Sequence, residues 1–121
     1  TTEIYTLSLH DALPICLDWT QPARALWNRI RAFTPWPGAY TFIDGRGQPR
    51  LLKIWSAEVL SGHNGPPGEV LRADRAGIEV GCGRESLRIT SLQLEGSKRL
   101  GAEAFLAGHP LQAGDAFGRQ S

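Results

Sequence analysis

The chain has 121 residues, with 13 Lys or Arg against 12 Asp or Glu, a net charge of +1, and 2 cysteines. No apolar run is long enough to span a bilayer, and no charged region followed by an apolar core opens the chain. Two cysteines at unrelated positions build no disulfide framework, so the expectation is a small, soluble, cytoplasmic domain with one core, a monomer with no membrane association.

The first stretch, Thr1 to Ile15, reads as the in-frame translation of a common short-read sequencing adapter, with Cys16 at the junction. Such a segment is set aside in fold reasoning, which divides the chain into 1–16 (adapter and junction), 17–114 (the domain) and 115–121 (an unstructured tail). The competing reading is a genuine N-terminal strand; on the adapter reading the chain is expected to be a fragment of a protein longer on its N-terminal side. Glu3 and Asp11 fall in the excluded segment, so the remainder carries 13 bases against 10 acids, +3 rather than +1. The excess is local. Between Trp19 and Ala57 stand Arg24, Arg29, Arg31, Arg46, Arg50 and Lys53 against the single acid Asp44. A one-sided basic patch of this kind fits a polyanion, with a merely solvated face as the competing reading.

The first element is a helix from about Gln21 to Phe33. Thr20 stands at the N-cap and Pro22 in the first turn, where its missing N–H is no loss. Ala23, Leu26, Trp27, Ile30 and Phe33 recur at helical spacing and form one apolar stripe, leaving Arg24, Asn28 and Arg31 on an exposed face. Asp18 suits a capping role at this helix better than catalysis. Pro35 then stops the helix, and Phe33, Pro35, Trp36, Pro37 and Gly38 make a rigid corner that turns the chain into a sheet.

Strand signals follow. Ala39 to Ile43 reverses through Asp44-Gly45-Arg46-Gly47 into a long strand from about Arg50 to Leu60, where Lys53, Trp55, Ala57 and Val59 share one face. Ser61 to Pro67 is a loop. Glu69 to Ala73, Ile78 to Cys82 and Leu87 to Leu94 are further strands, and the last changes parity between Ile89 and Leu92, which calls for a bulge near Thr90 or Ser91. Ala102 to Ala107 makes a short helix, and no fold is evident from Gly114 onward. The sum is a mainly β fold: a small closed or nearly closed, OB-like β-barrel with one N-terminal amphipathic helix and a short C-terminal helix, in which these signals do not fix the strand order.

Catalytic chemistry is missing from the pattern. His63 and His109 stand in polar loops without a Cys, Asp or Glu at ligand spacing, so no metal site is expected. The glycines at 45, 47, 81 and 83 suit hairpins rather than a phosphate-cradling loop, and Cys82 reads as a small buried side chain. Gly96-Ser97-Lys98-Arg99 puts two cations on an exposed turn where phosphates could reach them, or where they merely solubilise the chain.

An ordered series of motifs resembles one family. Leu17-Asp18-Trp19, Pro22-Ala23 and Ile30 to Gly38 are similar to the opening of the C-terminal domain of methionyl-tRNA formyltransferase, with Thr34 where that pattern has Asn. The likeness continues through Lys53-Ile54-Trp55 with Ala57, Pro67-Gly68, Gly77-Ile78, Cys82-Gly83 and Ser91-Leu92-Gln93, and ends near Gly96-Ser97-Lys98-Arg99, where Ser97 is inserted. The resemblance implies a Greek-key barrel that presents a basic surface to initiator methionyl-tRNA. The catalytic residues and the donor 10-formyltetrahydrofolate would belong to a missing N-terminal domain, its partner, so this segment holds no cofactor and no catalytic residue and is inactive alone. The tRNA-binding residues chosen from charge and motif position are Arg24, Arg31, Arg50, Lys53, Lys98 and Arg99. Two alternatives stay open: the related domain of a folate-dependent formyltransferase acting on a sugar nucleotide, and a stand-alone RNA-binding module.

Overall fold

The computed structural model describes residues 15–34, 38–45 and 48–117. They form β1 (Ile15–Cys16), α1 (Ala23–Phe33), β2 (Ala39–Gly45), β3 (Gln48–Leu60), β4 (Val70–Asp74), β5 (Gly77–Gly81), β6 (Ser86–Leu94), β7 (Leu100–Gly101) and α2 (Ala102–Gly108). The fold is mainly β, with one helix before the long strands and one after them.

The apolar stripe explains α1. Ala23, Leu26 and Ile30 are fully buried in the core, Trp27 packs against it, and the helix lies mainly against β3. Its start differs from the expectation. Pro22, not Thr20, is the N-cap, and no side chain caps the helix. The reason is local: the Asp18 carboxylate accepts the Thr20 hydroxyl at 2.6 Å and the Thr20 N–H at 3.0 Å. These two bonds, the hydroxyl first, hold the Asp18 carboxyl below the usual carboxylate range, and they turn the Thr20 side chain toward Asp18. The free Ala23 N–H donates instead to the Arg84 carbonyl at 3.0 Å, fastening the helix to the turn between β5 and β6. That contact is so close that a Cβ on Gly83 would lie 1.9 Å from the Thr20 carbonyl oxygen.

The strands form one sheet in the order β1-β2-β3-β6-β5-β4, with β7 paired to β6. Strands β4, β5 and β6 are successive antiparallel neighbours, and β3, joined to β4 by the long loop, lies on the far side of β6, which is a Greek key. The β3–β6 ladder is interrupted between Ile54 and Ala57, opposite the stretch from Leu92 to Ile89. This is the parity change expected in β6: Leu87 and Ile89 are buried on one side of it, Leu92 and Leu94 on the other. The same irregularity acts on β3, where the expected sharing of one face by Lys53, Trp55, Ala57 and Val59 does not hold. Leu52 and Ile54 are buried, and beyond the irregularity Ala57 and Val59 turn inward and pack against the core. Both strands advance three residues across the irregularity, Ile54 to Ala57 and Leu92 to Ile89, so both change parity together.

Pairing does not close the sheet edge to edge: β1 and β4 remain its ends. The C-terminal segment spans that gap, and here the expectation of an unstructured tail is corrected for residues 115–117. Ala116 bridges to Glu69 and Phe117 to Ile43. The Gly114 N–H donates to the Val70 carbonyl at 2.9 Å, the Val70 N–H to the Asp115 carbonyl at 2.6 Å, and the Phe117 N–H to the Gly68 carbonyl at 2.7 Å. Phe117 is buried and packs at a tilt on Trp19, with centroids 6.1 Å apart. The Trp19 indole N–H in turn donates to the buried Thr41 hydroxyl at 2.8 Å. At the other end, Ile15 and Cys16 pair in parallel with Ala39 and Tyr40. Backbone pairing of this kind is indifferent to side-chain identity.

Of the corner, Pro35, Trp36 and Pro37 lie outside the described residues. Its two ends are tied across the gap, since the Gly38 N–H donates to the Phe33 carbonyl at 2.9 Å. Thr34 ends the helix with extended backbone, φ −92° and ψ 134°. Its hydroxyl oxygen is buried and has no hydrogen-bond partner among the described residues. Burying a polar group without a partner costs about 1–3 kcal/mol. Thr34→Val keeps the shape and the branched, extended-compatible backbone, so it is expected to raise the stability by about 1 kcal/mol, read as a higher midpoint in thermal denaturation.

Candidate nucleic-acid interface

Neighbouring strands set one row of side chains across the sheet: Tyr40 is opposite Lys53, and Lys53 is opposite Gln93. Because alternate residues of a strand share a face, Trp55 joins this row while Leu52, Ile54, Leu92 and Leu94 point into the core. Lys53 is brought close to the corner by Gly38, whose φ of +100° favours glycine and where a Cβ would meet the Lys53 Cε at 2.8 Å. Trp55 then gathers charge. The Lys53 ammonium lies 4.1 Å and the Arg99 guanidinium carbon 4.6 Å from the centre of its ring.

The turn between β6 and β7 completes the arrangement. Arg50 donates to the Glu95 carbonyl at 3.2 Å, the Leu51 N–H donates to the Glu95 carboxylate at 2.6 Å, and Gln93 donates to the Ser97 carbonyl at 2.7 Å. Four of the sequence-predicted residues, Arg50, Lys53, Lys98 and Arg99, thus lie on or beside the segment between β6 and β7, with Lys98 exposed just after the turn. An open depression of about 490 Å³ lies alongside, lined by Tyr40, Leu51, Lys53, Gln93, Leu94, Glu95 and Gly96.

Arg24 and Arg31 stand apart from this group, exposed on α1. Arg31 is in the last turn, its guanidinium carbon 4.1 Å from the centre of the Trp27 ring, where a cation also suits the helix dipole. Arg24 lines a smaller depression with Trp27, Glu58 and Val59. Sequence reasoning did not single out Trp55 or Gln93 as part of the site. The alternation of Lys53 with Trp55 was a signal for the first; Gln93 required the β3–β6 register.

One expectation about chemistry is modified. His63 does have a carboxylate partner, Glu79 at 2.9 Å, which the chain brings to it from sixteen residues away. The same Glu79 oxygen accepts the Ser86 hydroxyl at 3.0 Å, so acid, not imidazole, stands in the middle, and Ser86 is fully buried. That order fastens a loop to β5 and activates no nucleophile. Cys82 is buried, as expected, and burial pushes its thiol up to about 12, far from the thiolate a nucleophile needs. Among the described residues, no three His, Cys, Asp or Glu side chains come together. No described helix is long and apolar enough to cross a membrane.

The domain is thus a Greek-key sheet with a packed helix that carries a cluster of cations on its outer face. The chain belongs to the formyl transferase C-terminal domain family, whose pattern matches residues 15–110. It is 50% identical over 104 residues to the methionyl-tRNA formyltransferase of Citrifermentans bemidjiense, covering 86% of this chain and 31% of that protein. It is 50% identical over 102 residues to that of Geobacter sulfurreducens, covering 84% and 31%. The chain therefore spans about 31% of the length of these relatives. Among solved structures, HypX from Aquifex aeolicus superposes with a TM-score of 0.63 over 78% of this chain and 16% of that one, at 22% identity, which bears on the fold alone.

Proposed function

We propose that this chain is the tRNA-binding C-terminal part of a methionyl-tRNA formyltransferase. It positions initiator methionyl-tRNA so that the amino group of the methionyl residue can be formylated from 10-formyltetrahydrofolate by a separate catalytic domain. What carries the reading is the gathering of Arg50, Lys53, Lys98 and Arg99 on or beside the segment between β6 and β7, in a chain 50% identical to proteins bearing that name. The contribution is geometric and electrostatic. Cations that meet backbone phosphates fix the register of the RNA, and a fixed register turns the encounter of its charged end with an active site into a near-unimolecular step. This chain supplies neither the folate site nor the reacting groups, and by itself transfers no formyl group.

Each phosphate neutralised releases condensed counterions, so affinity must fall steeply as salt rises. Titrating labelled initiator tRNA with the 121-residue chain at about 50 mM and about 200 mM salt is expected to show weak binding and a loss of about tenfold or more for a handful of contacts. Binding that ignores salt, or none at the lower ionic strength, removes the proposal.

A further inference from the structure

We infer that Trp55 and Gln93, two uncharged side chains, are positioning residues that hold the cations of the β6–β7 turn in the arrangement a run of RNA backbone phosphates requires. This rests on the tRNA contact proposed above and adds what keeps its site in order.

Lys53 and Arg99 come from different elements, one from β3 and one from the turn before β7, so chain connectivity alone does not bring them together. Their distances to the centre of the Trp55 ring are 4.1 Å and 4.6 Å, so the two charges are no farther apart than those lengths added. Like charges at that range repel. The negative face of the indole attracts both, and the Arg99 Nε–H donates to the Ser91 hydroxyl at 3.0 Å, which fixes the plane of the guanidinium. With Nε engaged, the Nη groups remain as the fork that grips a phosphate oxygen pair.

The edge of the same ring is also held. The Trp55 Nε1–H donates to the Gln93 side-chain oxygen at 2.9 Å, and the Gln93 side-chain nitrogen donates to the Ser97 carbonyl at 2.7 Å. Ser97 is followed directly by Lys98 and Arg99, and its own N–H donates to the Leu94 carbonyl at 2.9 Å across Gly96, which has φ +80°. The amide therefore couples the rotation of the indole to the position of the turn. Lys53, Trp55, Gln93, Ser97 and Arg99 form one linked unit across β3, β6 and the turn. An RNA base stacked on Trp55 would have to displace a cation already over the ring, so the geometry favours phosphates as what the unit addresses.

The test compares tRNA binding by the full chain and its variants at two ionic strengths, with folding checked by thermal denaturation. Trp55→Leu leaves the net charge unchanged and is expected to weaken binding about tenfold and to flatten its salt dependence, since the cations it spaces are released. Trp55→Phe retains the ring and is expected to restore most of the affinity. Gln93→Ala removes both hydrogen bonds of that amide and is expected to lower affinity about threefold. In a Lys53→Ala/Arg99→Ala background, adding Trp55→Leu is expected to change nothing further.

Parent-like affinity in a folded Trp55→Leu variant overturns the inference. So does a full tenfold loss in the double-alanine background, which would mean that the ring touches the RNA itself. If Trp55→Leu does not fold, parent-like affinity of Gln93→Ala decides against it. Absence of binding by the parent chain is a different failure, since it removes the tRNA reading on which the inference rests.

Discussion

Phe117→Ala is expected to lower the thermal midpoint by about 15 °C or more. Removing a buried Phe side chain costs about 3–5 kcal/mol, because the transfer free energy is lost and a cavity remains. A domain of this size has only about 5–15 kcal/mol in total, and each kilocalorie moves the midpoint by about 4–8 °C. Phe117 is also more than a packed ring. It lies against Trp19, whose indole N–H is bonded to Thr41 inside the core, and its backbone bridges to Ile43 of β2. Its N–H is bonded to Gly68, just before β4. Loss of the ring therefore loosens the strap between the two ends of the sheet. Phe117→Leu, which keeps most of the apolar volume, is expected to cost less than half as much. Ending the chain at Ala113 is expected to be at least as severe as Phe117→Ala. Midpoints from thermal denaturation for the three variants check the order; a truncated chain that melts with the parent would show that the segment is dispensable.

Lys53→Glu combined with Arg99→Glu is expected to weaken initiator tRNA binding about a hundredfold at low salt and to reduce the slope of log affinity against log salt by about 1.5, two lost phosphate contacts at about 0.7–0.9 each. The control must change the net charge equally. Arg72 and Arg75 are exposed on β4 and the turn after it, at the sheet edge remote in strand order from β3. Arg72→Glu with Arg75→Glu carries the same four-unit change and is expected to alter affinity only a few-fold, through the overall field of the protein. Equal losses in the two double variants would mean attraction by net charge alone, and the β6–β7 turn would lose its standing as an interface. A larger loss at Lys53 and Arg99 with the slope unchanged would point to contacts other than phosphates.

Much of the architecture was legible because its signals are local. The stripe of Ala23, Leu26 and Ile30 predicts a helix and the face it buries. The parity slip between Ile89 and Leu92 predicts a bulge, because a two-residue period cannot place both sets inward otherwise. What escaped was set, Thr20 apart, by partners distant in sequence. Thr20 has the chemistry of a cap, but the Asp18 carboxylate two residues earlier holds its hydroxyl. Ala57 and Val59 continue the alternation of Lys53 and Trp55 on paper, yet the irregularity facing β6 turns them inward. His63 has no acid nearby in the chain, and Glu79 reaches it only because the loop after β3 folds back on β5. Segment 114–117 has no period at all; its order comes from hydrogen bonds to Gly68 and Val70 and from a place beside Trp19.

For the candidate site the division is similar. Charge and motif position by themselves determined which residues are cationic, that Lys53 and Trp55 share a face of one strand, and that Lys98 and Arg99 sit on a turn, since residue type and a two-residue period are local properties. Only the tertiary structure decided that Arg99 joins Lys53 on one indole, that Gln93 ties that indole to the turn, and that Arg24 and Arg31 stand on α1 apart from them. Those relations depend on strand register and on the return of the chain after β6, which no local pattern encodes.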